Sequence, residues 1–143
     1  MSLFSPSRRL FSIASIATIV VAILHTIGNT ASSDDDSALL AVLAAMRGHH
    51  VPLGIGMSPS IWDIYRGLVF TMSVCLLAIG VLGLVLAADP DSTPRLLSRS
   101  ALVLAVASAA LTIIYAVYQI PPSLISMAIV TALYAGAVKS TRV

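Results

Sequence analysis

A chain of 143 residues, 58% hydrophobic and 10% charged with a mean hydropathy of +1.00, carries more apolar surface than a core of that size can take up, so lipid must be its main solvent. A net charge of +2 on scattered basic residues excludes a nucleic-acid footprint. The single cysteine, Cys75, excludes a disulfide framework and a CxxC redox centre, and inside an apolar run it reads as a buried, inert thiol.

Arg8-Arg9 precede a nearly continuous apolar run over residues 10–27. That run can cross a bilayer as a helix, since about 20 residues at ~1.5 Å each cover a hydrocarbon core of about 30 Å. Ser7-Arg8-Arg9-Leu10-Phe11 also looks like a twin-arginine export signal, with Ala31-Ser32-Ser33 as small residues for cleavage. His25 and Asn29 are ill suited to the end of a discarded segment, so the run is expected to stay as the first span, 10–29.

Asp34-Asp35-Asp36-Ser37 and the stretch to Arg47 carry helix signals: an acidic N-terminus, a basic C-terminus and Gly48 for the C′ position. Leu39, Val42, Leu43 and Met46 form one apolar stripe at helical spacing. Too short to span, this helix is expected in the interface or as a roof over the bundle, within an extramembrane helix and loop at 34–61.

Three more spans follow, at 62–88, 97–119 and 121–138. Trp62 and Tyr65 suit a membrane boundary at the start of the second, and Asp89-Pro90-Asp91 ends it. Pro121-Pro122 separates the last two into a tight hairpin and is tolerated in the first turn of the fourth span. The expectation is a single all-α transmembrane domain over 1–143, a four-helix bundle with a short interfacial helix between spans 1 and 2. Arg8, Arg9, Arg95, Arg99, Lys139 and Arg142 fall on one side of such a bundle and only Arg47 and Arg66 on the other. Under the positive-inside rule both termini are then cytoplasmic, and a multi-pass protein of the bacterial inner (plasma) membrane is expected. Gly80, Gly83 and the alanines of the last two spans allow close helix approach, within the chain or in a homo-oligomer.

Polar residues within the spans gather at one depth. His25 lies 16 residues beyond Arg9 and Tyr115 16 beyond Arg99, while Ser73 and Ser123 lie 16 before Asp89 and Lys139. Each is therefore roughly 24 Å along its helix from the flank that shares a side with the termini. Asn29, Gln119, Asp63 and Arg66 lie farther out. Polar groups facing lipid are costly, so these are expected to surround an outward-opening pocket, roofed by the short helix and the His49-His50 loop.

Such a pocket fits acid–base chemistry on a hydrophobic small molecule: isomerisation, cyclisation or epoxide and ring opening. His25 is the expected base, with Asp63, His49 or His50 as its orienting or acidic partner, since imidazole titrates near neutral pH and a carboxylate can orient it. Asn29, Trp62, Arg66, Tyr115 and Gln119 are expected to bind the substrate. No cofactor is required, and the bilayer and the small molecule are the expected partners. Two alternatives use the same residues. One is a non-catalytic subunit or a lipid-binding or small-molecule-binding protein. The other is an outer-face copper or zinc site built on His49-His50 with His25 or Asp63, where Met46 and Met57 would suit copper(I). HExxH and CxxC are both absent, so no metal ligand is assigned. GxSxG is absent too, and Gly54-Ile55-Gly56 lacks the context of a nucleotide loop.

Overall fold

A computed structural model describes residues 6–30 and 37–140. Its elements are helices throughout: α1 (Pro6–Thr30), α2 (Ser37–Gly48), α3 (Ile61–Ala88), α4 (Pro94–Val117) and α5 (Pro121–Lys139). All but α2 are long and apolar enough to cross a membrane, which makes this a multi-pass membrane bundle. Only 17–28% of the span residues are buried inside the protein, so most of the apolar surface, Leu68, Val103, Val106 and Ile113 included, meets lipid. Cys75 also lies exposed on α3, against the expectation of a buried thiol. In a bilayer, an apolar environment does not require burial in protein.

The helix ends follow local chemistry. Proline opens α1, α4 and α5, where its missing N–H costs nothing and its fixed φ suits a first turn. At α4 the Thr93 hydroxyl accepts from the Leu96 N–H, so the helix starts at Pro94, ahead of the expected 97. It also stops at Val117, short of the expected 119, because Gln119 takes a left-handed backbone with φ 53°. The Ile120 N–H then donates to the Tyr115 carbonyl at 2.9 Å and turns the chain into α5. Gly48 belongs to α2, whose last turn the His49 N–H follows by donating to the Ala45 carbonyl. Asp34, Asp35 and Asp36, expected to cap that helix, lie outside the described residues, as does Arg142.

α1 is the central helix. It packs against α3 on one side and α5 on the other, with a smaller contact to α4, while α4 and α5 form the antiparallel hairpin. Phe11, Ala14, Ser15, Thr18 and Ala22 are buried and recur at helical spacing along α1. The α3 side closes on two glycines. A Cβ at Gly80 would lie 2.9 Å from the Ser15 carbonyl oxygen and 3.1 Å from the Ile19 nitrogen, and one at Gly83 would strike the Ser15 side chain. On the α5 side Tyr134 is buried, edge-on to Phe11 with centroids 5.7 Å apart, its hydroxyl 3.3 Å from Thr18 Oγ1 and 3.5 Å from Ser15 Oγ. Thr131 donates to Ser108 Oγ at 3.0 Å and ties α5 to α4.

Arg8 has a structural role that charge counting does not reach. Its guanidinium is buried and donates to the carbonyls of Ala87 (3.0 Å), Asp89 (2.9 Å) and Ser92 (2.9 Å). The start of α1 thereby caps the end of α3, where unpaired carbonyls and the negative end of the dipole favour a cation.

Candidate binding pocket

At the opposite end of the bundle from Arg8, helices α1, α3, α4 and α5 leave a cavity of about 320 Å³. Val21, Leu24, Leu76 and Met127 form its apolar wall; His25, Asn29, Tyr115, Ser123 and Ser126 supply polar groups. Pro122 and Ile120 close it at the α4–α5 turn, so the proline pair both reverses the chain and shapes the cavity.

Asn29, one turn beyond His25, organises the polar side. Its Nδ2 donates to the His25 carbonyl at 2.7 Å and lies 3.5 Å from the His25 ring Nδ1. Its Oδ1 accepts from the Tyr65 hydroxyl at 3.0 Å, which ties α1 to α3. The other imidazole nitrogen, Nε2, is buried and has no hydrogen-bond partner. An unpaired buried nitrogen of this kind costs roughly 1–3 kcal/mol, so a hydrogen-bonding molecule placed against it gains that much relative to its absence. Among the described residues the hydroxyls of Tyr115 and Ser123 have no protein partner either, whereas Ser126 donates to the Pro122 carbonyl at 2.8 Å.

The remaining expected site residues lie outside this lining. The Asp63 carboxylate accepts from the Ser60 N–H at 3.1 Å and the Ser60 hydroxyl at 2.7 Å, while Ser60 Oγ accepts from the Asp63 N–H at 3.1 Å. This is a capping box that starts α3. Trp62 stacks on Tyr65 with centroids 5.7 Å apart, and the guanidiniums of Arg47 and Arg66 sit 5.4 and 5.9 Å from the Trp62 ring. Arg66 also lies 5.4 Å from Phe70. Through Arg47 this cluster attaches α2 to α3, and the Arg66 guanidinium rests on the aromatic faces of Trp62 and Phe70.

His49 and His50 begin a hairpin-like tongue. The Val51 N–H donates to the Pro59 carbonyl at 2.9 Å, the Leu53 N–H to Met57 at 3.0 Å and the Ile61 N–H back to His49 at 2.9 Å. Gly54 and Gly56 turn its tip at φ 78°. The His50 ring Nδ1 pairs with the Ser58 carbonyl at 2.8 Å. Neither this tongue nor α2 contributes to the cavity lining, so the expected roof is absent among the described residues. Gln119 sits beside the cavity in the strained turn without lining it, and Ser73 donates instead to the Val69 carbonyl at 3.2 Å. No group of three His, Cys, Asp or Glu side chains able to hold an ion occurs among the described residues.

Tyr65 and Ser126 are the polar residues that sequence reading leaves out of the site. Tyr65 has a signal, its boundary position about two turns before Ser73 on the same helix, but its pairing with Asn29 depends on how α1 and α3 align. No family model matches this chain, and neither a curated protein nor a solved structure does.

Proposed function

We propose that the protein binds an amphipathic, membrane-soluble small molecule in the His25 cavity. Its apolar body lies against Val21, Leu24, Leu76 and Met127, and one oxygen or nitrogen function meets His25, Tyr115 and Ser123. The observation that carries this reading is that His25, a residue of the cavity lining, has a ring nitrogen, Nε2, that is buried and has no hydrogen-bond partner. The volume, about 320 Å³, lies at the small end of ligand sites and suits a compact head group with part of a chain.

Acid–base turnover is the finer form of the same proposal. His25 exchanges a proton with the bound molecule and the Tyr115 hydroxyl stabilises the oxygen on which charge develops. This is the chemistry of isomerisation, cyclisation or ring opening. The arrangement favours Asn29 over Asp63 as the group that orients the imidazole, because Asn29 touches the His25 ring while Asp63 is held in the capping box. We further propose that the Arg8 end faces the cytoplasm of a bacterial inner membrane, with Arg8, Arg9, Arg95, Arg99 and Lys139 there against Arg47 and Arg66 at the other end. The cavity then opens toward the outer leaflet.

Mass spectrometry of organic extracts from the purified protein tests this. Wild type and Asp63→Ala yield the same small molecule; His25→Ala and the double variant Tyr115→Phe, Ser123→Ala yield little of it. Depletion by Asp63→Ala with no effect of His25→Ala would return the site to Asp63. No small molecule in any extract, with a second polypeptide copurifying, would favour a non-catalytic subunit. Incubating the extracted compound with wild type and His25→Ala then separates turnover from binding alone.

A further inference from the structure

A second groove lies at the Arg8 end, between α3 and α4. α3 packs on α1 and α4 on α5, so α3 and α4 do not close on each other. Ile79, Leu82, Gly83 and Leu86 recur along one face of α3 and oppose Val103 and Leu104 of α4 across about 320 Å³. The polar side chains of the lining are Arg99 and Ser100. Its composition is that of one hydrocarbon chain with a charged end.

We infer that this groove binds an anionic glycerophospholipid, one acyl chain against Ile79, Leu82 and Val103 and the phosphate on Arg99 and Ser100. Charge complementarity fixes the occupant. No carboxylate lines the groove, and among the described residues Arg99 has no protein partner. The nearest acidic residues in sequence, Asp89 and Asp91, lie outside the lining, and the Asp89 carboxylate is engaged locally, accepting from the Asp91 N–H at 3.0 Å and facing the Ser92 hydroxyl at 3.3 Å. Arg99 lies just over one turn from the start of α4 at Pro94, the depth at which an arginine meets lipid phosphate. A guanidinium binds a phosphodiester through paired N–H donors, and an apolar wall beside it holds the chain that a free phosphate would lack. The inference is independent of the His25 cavity, which lies at the opposite end.

Native mass spectrometry of delipidated full-length protein, titrated with phosphatidylglycerol or phosphatidylcholine of equal chain length, tests it. One phosphatidylglycerol binds in preference to phosphatidylcholine, Arg99→Gln weakens it about fivefold, and Arg95→Gln, which removes the same charge outside the lining, leaves it unchanged. Val103→Trp, at an exposed position, abolishes binding by filling the groove. Equal binding of the two lipids, an equal loss in Arg95→Gln, or a groove covered by a second copy of the chain without lipid would each overturn the proposal. Gel filtration and circular dichroism confirm that each variant is folded before it is scored.

Discussion

Replacing Arg8 by alanine tests whether it is a cap or only a topogenic charge. The substitution removes donors to three main-chain carbonyls, at Ala87, Asp89 and Ser92, two of them in buried hydrogen bonds. A buried acceptor left unpaired costs roughly 1–3 kcal/mol, and water can reach the Asp89 carbonyl in part, so the expected loss is about 3–5 kcal/mol. Arg95→Ala removes the same formal charge from an exposed position and should stay within about 0.5 kcal/mol of wild type. Arg8→Lys should fall between, because a single ammonium cannot span three acceptors as a planar fork does. Unfolding in mixed micelles, followed by circular dichroism against detergent composition, gives the difference. Equal stability of Arg8→Ala and Arg95→Ala would refute the capping role.

Other substitutions probe the remaining joints. Gly80→Ala should destabilise by about 1–3 kcal/mol, since the new methyl meets α1 backbone that cannot yield, whereas Gly67→Ala, with nothing within 4 Å, should stabilise by about 0.5–1 kcal/mol; the same unfolding assay reads both signs. Gln119→Gly removes a side chain from a left-handed position and should raise stability by about 1 kcal/mol, seen as a melting temperature a few degrees higher. Tyr134→Phe keeps the edge-on packing with Phe11 and loses only two long hydroxyl contacts, so its cost should stay below about 1 kcal/mol, against about 3–5 for Tyr134→Ala.

Much of the architecture is legible in the sequence because a bilayer demands long apolar runs, and proline or charge marks where each one ends. What escapes concerns contacts between segments distant in the chain. Nothing local to Ser7-Arg8-Arg9 says that one arginine will meet the end of α3, and basic flanks read the same whether they cap a helix or face headgroups. Asp63 is different. Ser60-Ile61-Trp62-Asp63 carries a capping-box pattern in plain view, and that pattern foretells the hydrogen bonds the carboxylate makes. The polar level through His25, Tyr115 and Ser123 was legible by counting from the basic flanks, and those three residues line one cavity. Ser73, at the same depth, does not, because depth along a helix says nothing of rotation about its axis. The α2 roof is absent for a related reason: an apolar stripe names a face to be covered but not the surface that covers it, and no residue of α2 is fully buried by protein.

Binding in the His25 cavity is tested most directly by native mass spectrometry of wild type and His25→Ala, each extracted gently from its own membrane and checked for fold. One small molecule held by wild type and lost from a folded His25→Ala protein is the expected result. Wild type free of any small molecule, or the same molecule held equally by both, would contradict it.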